Sequence, residues 1–266
     1  MTVVAPRQIA EDVWVVVLGR RPLDTNVYLV RSGTAWVLVD TGWPGNGPAV
    51  RQAAEAVFGR GAVPAAILIT HLHLDHCGSL QDLVAAWDVP VFVHPGELPL
   101  AGGYVPEYAN PLDKRVLLPL LRLLPRRTRE RVLFGNGVTD IVRALDPAAP
   151  PPGLPDWSCV PAPGHTPGSV AFLRPHDRLL VTGDALLTVD LRSVRGLLLA
   201  RAQLAPPLHF TDWDRSATED TIAALARLEP RTIAPGHGRP RSGPSVPHDL
   251  RACADQLLAP PETAKT

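Results

Sequence analysis

Thr70-His71-Leu72-His73-Leu74-Asp75-His76-Cys77-Gly78 places four potential metal ligands within six positions. The stretch follows residues 65–70, an apolar run short enough for a buried strand. It precedes residues 79–87, where apolar spacing and Ser79 at the cap predict a helix. In extended backbone His71 and His73 point to one side, and a turn into a helix swings Asp75 and His76 toward a second centre nearby. The spacing suits two metal ions better than one.

Three further polar residues sit beside glycine, each after an apolar run that reads as a strand. They are His165 in Ala162-Pro163-Gly164-His165-Thr166-Pro167-Gly168-Ser169, Asp184 in Val181-Thr182-Gly183-Asp184, and His237 in Ala234-Pro235-Gly236-His237-Gly238. Glycine lets the backbone turn sharply and approach a crowded centre, so one sheet edge is expected to present five histidines and two carboxylates. Nitrogen and oxygen ligands of this kind suit Zn, Mn or Fe. Cys77 reads as a small packed residue instead of a ligand.

Asp40 in Val39-Asp40-Thr41-Gly42, the block from His71 to His76, His165, Asp184 and His237 together resemble, in order, the five motifs of the metallo-β-lactamase superfamily. The resemblance covers nearly the whole chain. It implies an α/β fold, a four-layer αβ/βα sandwich in one domain over 1–266, with the metal site at one edge of two sheets. It also implies that His71, His73 and His165 hold one ion, that Asp75, His76 and His237 hold a second, and that Asp184 bridges them. Asp40 would stand behind the ligands and fix their loop. The implied cofactors are two divalent ions, zinc first, with Mn or Fe as the other choices. Two such ions about 3.5 Å apart acidify a bridging water to hydroxide, with Asp75 and Asp184 as the catalytic carboxylates.

A carboxylate at 184, where the true β-lactamases of the family carry a cysteine ligand, points away from antibiotic hydrolysis. The wording around His165 and the Gly-Asp-Ala-Leu at 183–186 resemble the glyoxalase II and acyl-homoserine-lactonase branches, which implies a metal-dependent hydrolase of lactones or thioesters. The 29 residues after His237 are too few for the helical domain that binds glutathione in glyoxalase II, and too few for the extra domain of the nuclease branches. Two alternatives carry the same motif block: a persulfide dioxygenase using one iron held by two histidines and an aspartate, and a phosphodiesterase. No G-x-S-x-G elbow occurs to supply a protein nucleophile. Tyr104, Tyr108 and His209 are candidate substrate-binding residues on chemistry alone.

Outside the motifs, β-branched runs predict strands at 13–18, 26–31, 36–40 and 90–94, with a helix at 49–58. Further strands are expected at 157–161, 170–173, 179–182 and 231–234, and helices at 216–228 and 247–258. Between them, prolines interrupt a Leu- and Arg-rich stretch, so 95–155 reads as a lid-like insertion ending in a Pro-rich linker. Its apolar run at 116–124, followed by Arg126, Arg127, Arg129 and Arg131, suits a substrate lid, a homodimer contact or an interfacial membrane element.

Equal numbers of basic and acidic residues, 26 each, create no global field to draw nucleic acid. No run of about 18 apolar residues offers a membrane span. Three scattered cysteines make no disulfide framework, and the N-terminal residues lack the pattern of a secretory signal. The expectation is a cytoplasmic enzyme acting on a small molecule.

Overall fold

The computed structural model describes residues 5–19, 24–134, 137–189 and 202–259. Strands β1 (Arg7–Ala10), β2 (Val13–Leu18), β3 (Thr25–Ser32) and β4 (Ala35–Val39) form an antiparallel meander. Helix α1 (Gly47–Phe58) crosses to β5 (Ala66–Leu68), and α2 (Leu74–Cys77) with α3 (Leu80–Trp87) crosses to β6 (Val91–Val93); these strands run parallel to β4. After an irregular excursion, β7 (Val142–Ala144) closes a sheet ordered β1-β2-β3-β4-β5-β6-β7. Within the excursion lie α4 (Leu118–Leu121) and α5 (Arg126–Phe134).

A second sheet is built from β8 (Ser158–Pro161), β9 (Val170–Arg174) and β10 (Leu179–Gly183). A hairpin of β11 (Leu187–Val189) and β12 (Ala202–Ala205) and helix α6 (Arg215–Arg227) come next in the chain. Then β13 (Thr232–Pro235) pairs parallel to β10, and β14 (Arg241–Ser242) flanks it before the last helix, α7 (Val246–Leu258). The order is β14-β13-β10-β9-β8.

Period-2 alternation in strands buried on both faces explains the stacking. In β3, Val27 and Leu29 join Val50, Leu80 and Leu83 of the helical layer, whereas Tyr28 and Val30 join Phe172 and Val181 of the second sheet. On the far side, Leu180 and Ile233 pack against Ile222 and Leu225 of α6 and Leu250 of α7. Three apolar interfaces therefore separate four layers, helix on sheet on sheet on helix. This is the expected αβ/βα sandwich, and each buried Val, Leu or Ile adds roughly 1.5–3 kcal/mol.

Residues 95–155 are not wholly an insertion. β7 pairs with β6, and Leu145 and Leu154 are buried in the core between the sheets. A three-residue edge strand between prolines carries too little periodicity to read, which is why the sequence hides it. The part that leaves the layers is 95–141. It carries partly exposed Val116, Leu117, Leu120, Leu123 and Leu124.

Polar staples join the sheets at one edge. Asn26 Nδ2 donates to the carbonyls of Pro235 (2.9 Å) and Gly238 (2.7 Å), and Tyr28 Oη–H donates to Pro235 O at 2.6 Å. The Val170 amide donates to Thr70 O at 3.0 Å. Tyr28→Phe removes one buried donor while Pro235 O keeps Asn26. The expected cost is about 1 kcal/mol in denaturant-midpoint measurements, with the fold unchanged.

Candidate metal centre

The stapled edge is where β4, β5, β10 and β13 end. In open α/β sheets such carboxyl ends form the ligand-binding crevice. Asp40 leaves β4 in the left-handed region at φ +60°, and its amide donates to Leu68 O at 2.9 Å. Gly236, just past β13, has no room for a side chain: a Cβ there would collide with Asp184 Oδ1 and His76 Cε1. Glycine at this position lets the second sheet's backbone reach the acidic cluster.

Three imidazole nitrogens meet in the first group. His73 Nδ1 lies 3.1 Å from His71 Nε2 and 3.0 Å from His165 Nε2. In the second group His237 Nε2 lies 3.1 Å from Asp75 Oδ2, and His76 Nε2 lies 3.5 Å from the same oxygen. Asp184 stands between the groups. Its Oδ1 is 3.4 Å from His76 Nε2, and its Oδ2 is 3.3 Å from His237 Nε2 and 3.6 Å from His165 Nε2. All seven sequence-derived candidates converge within bonding reach of common points, in sets suited to a cation.

What holds the rings is equally specific. His76 Nδ1 donates to Asp40 Oδ2 at 2.9 Å, His165 Nδ1 to Asp212 Oδ1 at 3.2 Å, and His237 Nδ1 to the Asp24 carbonyl at 2.7 Å. Thr70 Oγ1 is 2.8 Å from Asp40 Oδ2 and 3.1 Å from His71 Nδ1, so the hydroxyl donates to Asp40 and accepts from His71. In each case Nδ1 is committed outward, and Nε2 turns inward. His76 Nε2 and Asp184 Oδ1 are buried without a hydrogen-bond partner. An ion displacing the His76 proton would satisfy both atoms.

Electrostatics divides the two groups. Burial lowers the pKa of His71 and takes that of His73 down to about 3, with neighbouring imidazoles adding to the effect. Burial opposes charge at His76 and His237 too, but the carboxylates outweigh it. Asp75, Asp184 and Asp40 raise His76, and Asp184 and Asp75 raise His237 to about 10. In return these imidazoliums hold the Asp75 and Asp184 carboxyls below their ordinary range, against their own burial.

Glu97 is the functional residue that the motifs did not reveal. Fully buried, it accepts from Leu72 N at 2.7 Å, Thr166 Oγ1 at 2.6 Å and Gly168 N at 2.8 Å. It thus ties the loop carrying His71 and His73 to the loop carrying His165. Asp212 was missed as well, lying between an exposed Phe210 and the helix-capping Asp214. A lone acid in a loop gives no sequence signal of burial.

Two clefts open here. One, about 450 Å³, is lined by His73, Asp75, His165, Asp184 and His237. The other, about 370 Å³, holds Tyr104 and Tyr108 and shares His73 with the first. His209 is exposed, edge-on to Phe210, and lines neither cleft.

The sequence pattern of the metallo-β-lactamase superfamily matches residues 20–237. The chain belongs to that superfamily. Among superfamily relatives it is 34% identical over 240 residues to the "probable metallo-hydrolase YflN" of Bacillus subtilis (strain 168), covering 87% of each chain. A second Bacillus subtilis relative, "probable metallo-hydrolase YybB", is 28% identical over 81% of each. Among solved superfamily structures, TTHA1623 "in a di-iron-bound form" shares 30% identity at TM-score 0.55, covering 86% of this chain and 93% of that one. TTHA1429 from Thermus thermophilus shares the fold at TM-score 0.61 and 20% identity, over 94% and 79%. The enzyme class expected from the motif block, a metal-dependent hydrolase, is the class these curated relatives are named for. Among the described residues no helix is long and apolar enough to cross a membrane.

Glu97→Gln keeps the shape but turns an amide N–H toward a backbone donor. It is expected to lose about 1–3 kcal/mol in chemical denaturation, and Glu97→Ala more, because three donors then lack an acceptor.

Proposed function

We propose that the chain is a hydrolase of ester-like bonds, a lactone or thioester, working with two divalent ions. The observation that carries this is Asp184, which stands between the two groups: Oδ2 faces His165 of one and His237 of the other, and Oδ1 faces His76. In this reading His71, His73 and His165 hold one ion, Asp75, His76 and His237 the other, and Asp184 both. When bound, such ions acidify water to a nucleophile at neutral pH and polarise the oxygen of the bond attacked. The protein's own part is orientation. Asp40, Asp212 and the Asp24 carbonyl keep the imidazole lone pairs aimed inward, and Asp75 and Asp184 stay ionised beside them.

The reading of a single iron held by two histidines and an aspartate accounts for fewer of the inward-facing groups. The di-iron form of TTHA1623 supports two ions and keeps iron beside zinc and manganese as a choice of metal. Elemental mass spectrometry on protein purified without added metal is expected to find two ions per chain. One iron per chain, with oxygen consumed on a persulfide, would replace this reading with the dioxygenase.

Asp184→Ala is expected to cut turnover of a responsive lactone or thioester by at least about a hundredfold, with metal content reduced and far-UV circular dichroism unchanged. Full activity in a variant of verified metal content overturns the assignment.

Protonation gives a second check. At pH 7 the metal-free chain carries protons on His76 and His237, while His71 and His73 are neutral. Loading is therefore expected to release about two protons per chain from these imidazoles, and a further one where the bound water ionises. Apparent affinity then rises with pH toward 10 and falls as pH drops. Calorimetry in buffers of different ionisation enthalpy reads this directly.

A further inference from the structure

The second cleft has no part in holding ions, and its chemistry differs from the first. Leu100, Ala101, Val105, Leu117, Leu133 and Val138 supply apolar walls, nearly all from the excursion 95–141. At about 370 Å³ it is of ligand size. It adjoins the ion-holding cleft, since His73, Leu74 and Asp113 line both. His73 belongs to the first imidazole group, so the apolar cleft shares a wall with that group. Among the described residues neither Lys nor Arg lines the cleft, and the carboxylate that lines both clefts beside Leu117 is Asp113. A chain ending in a carboxylate or phosphate would meet like charge at Asp113 and, among the described lining residues, no cation to balance it.

We propose that this cleft seats an uncharged hydrocarbon chain of the substrate, while the bond to be cleaved lies in the adjoining cleft beside His73 and Asp184. The proposal rests on the hydrolase reading and narrows it to medium-chain acyl lactones or thioesters. Leu117 and Val105 are its specificity-determining residues. Leu117 is exposed and Val105 half-buried, so substituting them does not open the core.

The experiment is a chain-length series of acyl thioesters and γ-lactones, from acetyl and butyrolactone up to decanoyl and decalactone. The series is run on the metal-loaded enzyme and on two variants. Leu117→Asp puts a charge in the cleft wall, and Val105→Trp fills it. In wild type kcat/KM is expected to rise about threefold per added methylene until the cleft is full. In either variant that slope is expected to flatten. A flat wild-type series, or a slope that both variants leave unchanged, overturns the proposal. If no member is hydrolysed, the lactone-or-thioester reading falls, and titration of 1-octanol into the same proteins decides the cleft by itself. Binding that Leu117→Asp weakens about tenfold upholds it, and absence of binding overturns it.

Discussion

Two imidazole nitrogens each about 3 Å from a third, and two carboxylates facing two more imidazoles, are the arrangement that the rest of this molecule serves. Lone pairs converging in a buried space repel unless a proton or a cation stands among them. The chain resolves the conflict differently in its two halves. Around Asp75 and Asp184, protons on His76 and His237 balance the carboxylates, whereas around His71 and His73 burial keeps the rings neutral. Such a cluster persists only if the framework holds it rigidly, and the framework does so from outside. Asp40, Asp212 and Glu97 each accept from donors on or beside a ligand-bearing loop.

The sandwich makes that support possible because the carboxyl ends of strands from both sheets come to one edge. β3 of the first sheet reaches across through Asn26 and Tyr28 to the backbone just before His237, and Thr70 O takes the Val170 amide of the second sheet. Glycine at 236 is the corresponding concession in the other direction, since any side chain would occupy the space of Asp184 and His76. The precision of the site is thus set by inter-sheet hydrogen bonds, and the apolar layers set the distance over which those bonds act.

Much of this was legible in the sequence, for identifiable reasons. His71, His73, Asp75, His76, His165, Asp184 and His237 are marked by spacing and by neighbouring glycine. Strands such as β2, β3 and β4 are long enough for alternation to show. What stayed hidden was short or local. β7 and β14 have three and two residues, and β1 is four residues at an exposed edge. Glu97 follows a proline and a glycine inside a stretch whose prolines suggest a loop, and nothing in Pro95-Gly96-Glu97 announces that the acid is buried and triply bonded. Burial of a single acid depends on where distant loops meet, and periodicity carries no information about that.

Glu97 also joins the parts that differ most in character. It lies in the first turn of the 95–141 excursion, which supplies nearly all the apolar cleft, yet its oxygens bind the amides flanking His71 and His165. The wall of the cleft and the loops of the ion site therefore share one buried acceptor. Further along the excursion the contacts loosen, and Leu120 and Leu123 are 57% and 81% exposed. Such a gradient lets sequence change at residues like Leu117 reshape the apolar cleft without disturbing the geometry that Glu97 holds, because stiffness is concentrated where the ligand loops need it.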